Sequence, residues 1–274
     1  MKKIALLFFV LFSYSLFSQN QNLDSLLIKA KKNNNDTIIL KTYAKIGFKS
    51  IFSDKEKAVK YILDGKKLAE NKNNKLWQAE LNNIYGIYHA VSDSYDSARY
   101  YYNKSLLISR KYNFKKVESK SINNLGLSFW NQSKFNKALD FFFTSLKIDD
   151  ELNDEKSKIS GYSNIGLIYQ EMKQFKKALE YHKKALKIIE KYNDVNGLTI
   201  SYNNIGICYR SLKQYTKAIE SYQKRIEFAK KSRNKLNLSK HYSNNLGNVY
   251  IDIKAYPLCI LNNADFDIIN ISIE

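Results

Sequence analysis

Proline is nearly absent from this chain of 274 residues, where Pro257 is the only one. Glycine is scarce as well, at 9 residues. That poverty excludes collagen-like chains, Pro-rich linkers and loop-rich β-sandwiches. Two cysteines, Cys208 and Cys259, cannot supply a disulfide framework. Three scattered histidines, His89, His182 and His241, give little material for a metal site. Arginine occurs only at 99, 110, 210, 225 and 233, so lysine supplies nearly all of the 45 basic side chains. No phosphate-cradling glycine loop and no nucleophile elbow occurs. These shortages speak against an enzyme and predict no cofactor.

What remains is apolar, aromatic and basic. Apolar residues make up 44% of the chain, enough for a folded core, so wholesale disorder is not expected. Tyrosine at 21 and phenylalanine at 15 are numerous beside 2 tryptophans. The formal charge is +19. A largely helical fold is the favoured class.

The first residues read as a leader. Met1-Lys2-Lys3 is a short positive segment, Ile4–Leu16 is an apolar run broken only by Ser13, Tyr14 and Ser15, and Ser18 precedes a polar stretch. This layout predicts a secretory signal peptide over 1–18 and export, to a periplasm or beyond. The run is shorter than the roughly 20 residues a membrane-spanning helix needs. No cysteine follows it to carry a lipid. Loss of Lys2 and Lys3 would lower the charge from +19 to +17.

The rest follows one period. Tyr43-Ala-Lys-Ile-Gly47, Asn82-Asn-Ile-Tyr-Gly86, Ile122-Asn-Asn-Leu-Gly126, Tyr162-Ser-Asn-Ile-Gly166, Tyr202-Asn-Asn-Ile-Gly206 and Asn244-Asn-Leu-Gly247 place glycines 39, 40, 40, 40 and 41 residues apart. Twelve residues beyond four of them stand Ala98, Ala138, Ala178 and Ala218; nine beyond stand Tyr95, Phe135, Phe175 and Tyr215. Tyr162, Ile165, Gly166 and Tyr169 share one helical face, and Phe175, Ala178, Ala185 and Ile188 make a second stripe. Met172-Lys173-Gln174 between them is a tight connection, so each unit is an antiparallel helical hairpin. Glycine inside a helix costs about 1 kcal/mol relative to alanine, so six at one phase imply close packing. Asn71–Asn74, Asn113, Asn153, Asn193 and Asn234 divide the units, since asparagine tolerates the left-handed conformation that ends helices. Leu23, Leu26, Leu27 and Ala30 make an amphipathic capping helix within 19–40.

Tyr162, Gly166, Tyr169, Phe175, Ala178 and Ala185, echoed around Gly86, Gly126 and Gly206, resemble the tetratricopeptide repeat. Asn124, Asn164 and Asn204 also match the family's consensus. The resemblance covers about residues 41–256, as five repeats and a partial sixth. It departs in its period, near 40 rather than 34, and in lacking the proline that usually ends each repeat.

The resemblance implies an all-α, right-handed solenoid whose first helices line a concave groove that binds peptides or proteins. Carried over residue by residue, the groove positions are Asn123, Leu127, Trp130, Ser163, Leu167, Gln170, Asn203, Ile207 and Arg210. Amides there suit the backbone of an extended peptide, or they bridge adjacent repeats. One subset of the family grips a C-terminal carboxylate with Lys and Asn. Leu127, Leu167 and Ile207 stand where that Asn belongs, so this ligand is not transferred.

Lysines are spread among acidic residues without an arginine cluster, so specific nucleic-acid binding is not expected; weak contact with anionic surfaces is. His182 occupies the position of Tyr102, Phe142 and Tyr222, which predicts packing rather than catalysis. Asp149, Asp150 and Glu151 read as a solvated helix end.

The pattern breaks at Pro257, and 257–274 lacks the helical stripe. Two explanations stand: a native divergent cap, or truncation near Tyr256. The second makes the chain the periplasmic sensory region of a membrane signalling regulator that has lost its histidine kinase or DNA-binding output domain. The primary expectation is a non-catalytic scaffold for a protein or peptide.

Overall fold

The computed structural model describes residues 23–32 and 34–231, with Asn245 and Val249. The signal peptide expected over 1–18 and the tail 257–274 lie outside the described residues. Eleven helices follow in order: α1 Leu23–Lys32, α2 Asp36–Ser50, α3 Lys55–Asn71, α4 Lys75–Val91, α5 Tyr95–Lys111, α6 Lys115–Asn131, α7 Phe135–Glu151, α8 Glu155–Glu171, α9 Phe175–Lys191, α10 Val195–Ser211 and α11 Tyr215–Lys231. Among the described residues there is no strand. α2 begins at Asp36, ahead of the boundary expected at residue 41.

From α3 onward each helix is 17 residues long. Three residues separate it from the next, which fixes a half-period of twenty. The middle residue of every turn has positive φ: Asn73, Asp93, Asn113, Ser133, Asn153, Lys173, Asn193 and Lys213, between 48° and 59°. A backbone N–H then reaches back to the carbonyl five residues earlier, as in Asn74 to Ala69 at 2.9 Å and Phe114 to Ser109 at 2.7 Å. This closure satisfies the last carbonyls of the helix without glycine or proline. Asn74, Asp154 and Asp194 then cap the next helix, accepting from Trp77, Ser157 and Gly197 backbone N–H. The asparagines were readable as helix stops. Asp93, Ser133, Lys173 and Lys213, inside the hairpins, adopt the same conformation without advertising it.

The described residues fall into two compact units, dividing between Gly161 and Tyr162 inside α8. In the first unit α1 packs on α2, and the hairpins α2–α3, α4–α5 and α6–α7 stack through α3 on α4 and α5 on α6. Its main core joins Ile51, Ala58, Ile62, Ala98, Tyr102, Ile122 and Leu125. In the second unit α10 pairs with α11 and α9 packs on α10, while Gly166 against His182 and Tyr169 against Tyr181 join α8 to α9. Ile165, Ile168, Ala178, Ile189, Cys208 and Ala218 are fully buried there.

One contact closes every hairpin. A Cβ placed on Gly86 would stand 2.4 Å from the Tyr102 ring, one on Gly126 2.7 Å from Phe142, one on Gly166 2.6 Å from His182 and one on Gly206 2.5 Å from Tyr222. At Gly47 the neighbour is Ile62 Cγ1 at 2.6 Å. The missing side chain makes room for the large residue of the second helix, which explains why glycine is kept despite its helix penalty. Ala58, Ala98, Ala138, Ala178 and Ala218 are all 0% exposed and let the two backbones approach.

Candidate functional site

The predicted groove positions divide by burial. In the first unit Asn123, Leu127 and Trp130 are only 8%, 7% and 6% exposed, so α6 does not present them as an open surface. α6 is interior along almost its whole length, with Val117–Ser119, Ser121–Ser128 and Trp130 buried. In the second unit Ser163, Leu167 and Gln170 on α8 and Asn203, Ile207 and Arg210 on α10 are part-exposed. They recur at the same three registers of the two first helices, on the side away from Ile165, Ile168, Ile205 and Cys208.

Several amides bridge repeats. Asn124 Nδ2 donates to Asn83 Oδ1 at 3.0 Å, both buried, joining α6 to α4. Asn203 Oδ1 accepts from Asn245 Nδ2 at 2.7 Å, and Asn203 Nδ2 donates to Asn204 Oδ1 at 3.3 Å. Gln170 turns toward its own hairpin, where its Oε1 lies 2.9 Å from His182 Nε2. Of the residues expected to offer amides, Asn203 and Gln170 are therefore engaged within the protein.

The other candidates for chemistry sit in packing roles. His182 is 2% exposed, and burial pushes it down to about 3, leaving a neutral ring. Cys208 is buried and its thiol is pushed up to about 12 by the same cause. Among the described residues no three His, Cys, Asp or Glu side chains gather to hold a metal. None of the helices described is long and apolar enough to cross a membrane.

Asp149 is not at a solvated helix end. It is 4% exposed and accepts from Ser119 Oγ at 2.6 Å. Burial pushes its carboxyl up to about 6, with Asp154 and Asp150 adding to the rise and Ser119 opposing it. Its neighbours find cations instead: Lys116 reaches Asp154 at 2.6 Å and Lys158 reaches Asp150 at 2.7 Å. The helix-end charge pattern hid this because Asp149 faces inward on α7 while Asp150 faces out.

A second feature missed in the sequence is built around Lys66 on α3. Its Nζ donates to Asn82 Oδ1 at 2.9 Å and stands 4.4 Å and 4.7 Å from the ring centres of Tyr101 and Tyr85. Tyr85 and Tyr101 are 4.5 Å apart, and His89 stacks on Tyr101 at 5.2 Å with 5° between planes. Burial lowers the Lys66 amine to about 8, with Lys104 adding to the fall and Glu70 opposing it. Burial, then the Lys66 charge, lowers His89, whose Nε2 is buried without a partner. A signal did exist. Four residues after the ring or Ile62 that seats on each glycine come Leu106, Leu146, Leu186 and Ile226, but in the first repeat Lys66.

Residues 158–231, about a quarter of the chain, match the family model described as Tetratricopeptide repeat. That stretch runs from inside α8 to the end of α11. This is a tetratricopeptide-repeat fold. Solved structures share it. A Signal Transduction ATPase with Numerous Domains protein with a tetratricopeptide repeat sensor, from Pyrococcus horikoshii, superposes with TM-score 0.68 at 20% identity, over 84% of this chain and 34% of that one. A Rap protein complexed with Competence and Sporulation Factor gives 0.67 at 17% identity, over 84% and 68%. BtubC from P. vanneervenii gives 0.65 at 17% identity, over 77% and 88%. At these identities the likeness is one of fold. No curated protein matches the sequence.

The tetratricopeptide hairpin explains both departures seen in the sequence. Helices of 17 residues joined by three-residue turns make the period 40, so the extra length lies in the helices. Residues with positive φ end them, so the repeat-ending proline is unnecessary. Within each of three successive hairpins a second-helix lysine lies over a first-helix ring: Lys137 over Phe129 at 5.8 Å, Lys177 over Tyr169 at 5.3 Å and Lys217 over Tyr209 at 5.7 Å. Each such contact contributes about 0.5–1 kcal/mol where exposed.

Proposed function

We propose that this chain is a non-catalytic scaffold that binds a protein or peptide through the first-helix face of its second unit. The observation that carries this reading is the recurrence of part-exposed Ser163, Leu167 and Gln170 on α8 at the registers of Asn203, Ile207 and Arg210 on α10. Leu167 and Ile207 offer apolar anchors, while Ser163 and Arg210 supply polar contacts beside them. A helical repeat uses such a surface for extended partners, with aliphatic pockets for side chains and polar groups for backbone. The Rap protein solved with Competence and Sporulation Factor supports this use of the fold.

The lysine-led leader supports action outside the cytoplasm, where the partner would be another exported protein or a ligand that reaches it. A sensory variant of the same binding is supported by the Pyrococcus protein, whose repeats are described as a sensor. A photo-crosslinking side chain placed at Ile207 tests the face. It is expected to give one discrete adduct in cells, whereas the same group at exposed Lys176 on α9 gives none. Equal labelling from both positions would remove the first-helix face from the account.

A further inference from the structure

The lysines of the second unit gather on its second helices. α9 carries six, against Glu180 and Glu190, and α11 carries four with Arg225, against Glu220 and Glu227. Arg210 is the only charged residue of the first helix α10. Lys177, Lys184 and Lys191 on α9 recur forty residues on as Lys217, Lys224 and Lys231 on α11. Seven residues apart, they run along one side of each helix in steps of about 10.5 Å, and all six are exposed. The same registers hold Lys57, Asp64 and Asn71 on α3 and Lys137, Thr144 and Glu151 on α7, so hairpin packing does not call for lysine there. Nor is the charge a uniform trait of second helices, since acidic residues outnumber lysines on α7.

Rings hold the array in place. Lys184 lies over Tyr181 at 4.6 Å, Lys224 over Tyr202 at 5.4 Å and Lys231 over Phe228 at 5.2 Å. Lys183 of α9 and Lys217 of α11 share the Tyr209 ring, at 5.5 Å and 5.7 Å, so the ammoniums of the two helices meet there. Lys184 and Lys231 also pair with Glu180 and Glu227 at 2.6 Å, exposed contacts that water and salt readily exchange. Lys183, Lys217 and Lys224 make no ion pair among the described residues. No large apolar side chain of α9 or α11 is exposed, unlike Leu63 on α3, Tyr100 and Leu107 on α5 and Phe143 on α7.

We propose that the lysine array of α9 and α11 docks the protein on an anionic lipid bilayer. Interfaces between proteins are built round apolar or aromatic anchors and are depleted in lysine, so this face suits a folded partner poorly. A bilayer asks for neither anchor nor shape: its headgroups move to meet point charges, and each lysine near the surface adds to the attraction. With no apolar side chain to insert, the contact stays at the headgroups and weakens with salt. A sheet of headgroups meets the rows of both helices at once, whereas a linear polyanion follows one. The ring contacts already hold the amines, so less side-chain freedom is lost on docking. The face proposed for a protein partner belongs to the other helix of each hairpin, and the two contacts share no residue.

The test is sedimentation of the full chain with vesicles of phosphatidylcholine alone or with phosphatidylglycerol as about one-third of the lipid, near physiological salt. Binding is expected only with phosphatidylglycerol, and it should be lost as salt is raised toward 1 M, where screening shortens to about 3 Å. Replacing Lys183, Lys217 and Lys224 together by Glu should weaken binding at least about thirtyfold. Replacing exposed Lys55, Lys60 and Lys67 of α3 by Glu changes the net charge equally and should weaken it no more than about threefold. Arg at 183, 217 and 224 keeps both charge and ring contacts and should bind as the parent does. Each variant is compared with an unchanged helical circular dichroism spectrum. Equal losses from the two Glu triples would overturn the proposal, because net charge would then explain the binding without the array. So would equal binding to both kinds of vesicle, or loss of binding in the Arg triple.

Discussion

His182 rests on Gly166: a Cβ on that glycine would stand 2.6 Å from both Cε1 and Nδ1 of the ring. The contact joins the two helices of one hairpin and repeats, with other rings, at Gly86, Gly126 and Gly206. It makes the fold a matter of one missing side chain per repeat.

Gly166→Ala adds a methyl where none fits. Overpacking costs about 1–3 kcal/mol, and the gain in helix propensity returns about 1 kcal/mol at most. The expected result is a net loss of up to about 2 kcal/mol in urea unfolding. Adding His182→Ala removes the obstructing ring, so the double variant should lose less than the sum of the two single losses. Additive losses would show that the ring and the glycine do not share that space.

Two buried groups give opposite pH dependence. His182 titrates near 3 when folded and near 6.5 when free, so between those values the unfolded chain takes up a proton the folded one refuses. Its contribution is present above 6.5 and lost as pH falls, by at most about 1.4 kcal/mol per pH unit. Asp149 is raised from 3.8 to about 6, so its contribution is present below 3.8 and lost as pH rises through 6. His182→Phe, which copies Phe142, should flatten the acid side of the stability profile. Asp149→Asn should raise stability above pH 6 and remove the loss there. Urea midpoints at pH 4.5, 6 and 7.5 check both; unchanged profiles would contradict the burial of these groups.

The Asn83–Asn124 bridge ties neighbouring repeats of the first unit. Replacing either residue by alanine leaves the other amide buried and unpaired, at about 1–3 kcal/mol. A double-mutant cycle should return a coupling of about 0.5–3 kcal/mol. Zero coupling would mean the two amides act independently.

The repeat, its hairpins and the glycine seats were legible because helical period and a forty-residue spacing leave a direct trace in residue order. The breadth of the helices was not, since Asp93, Ser133, Lys173 and Lys213 take positive φ without a residue type that announces it. Which first-helix positions stay open was not legible: burial depends on what packs over them, and Asn123, Leu127 and Trp130 are buried. Asp149 and Lys66 escaped for a similar reason: charge on a helix reads as a solvated face until the neighbouring helices are in place.

The central claim is that the α8–α10 first-helix face binds the partner. It is tested most directly by measuring the affinity of the protein crosslinked at Ile207, once purified, for the intact chain, for Leu167→Arg and Ile207→Arg, and for Lys176→Glu on α9. Charging either anchor should weaken binding at least about tenfold, roughly the 1.4 kcal/mol of one buried anchor, while Lys176→Glu binds as the parent does. Equal affinities across all four proteins, each with an unchanged helical spectrum, would contradict the account.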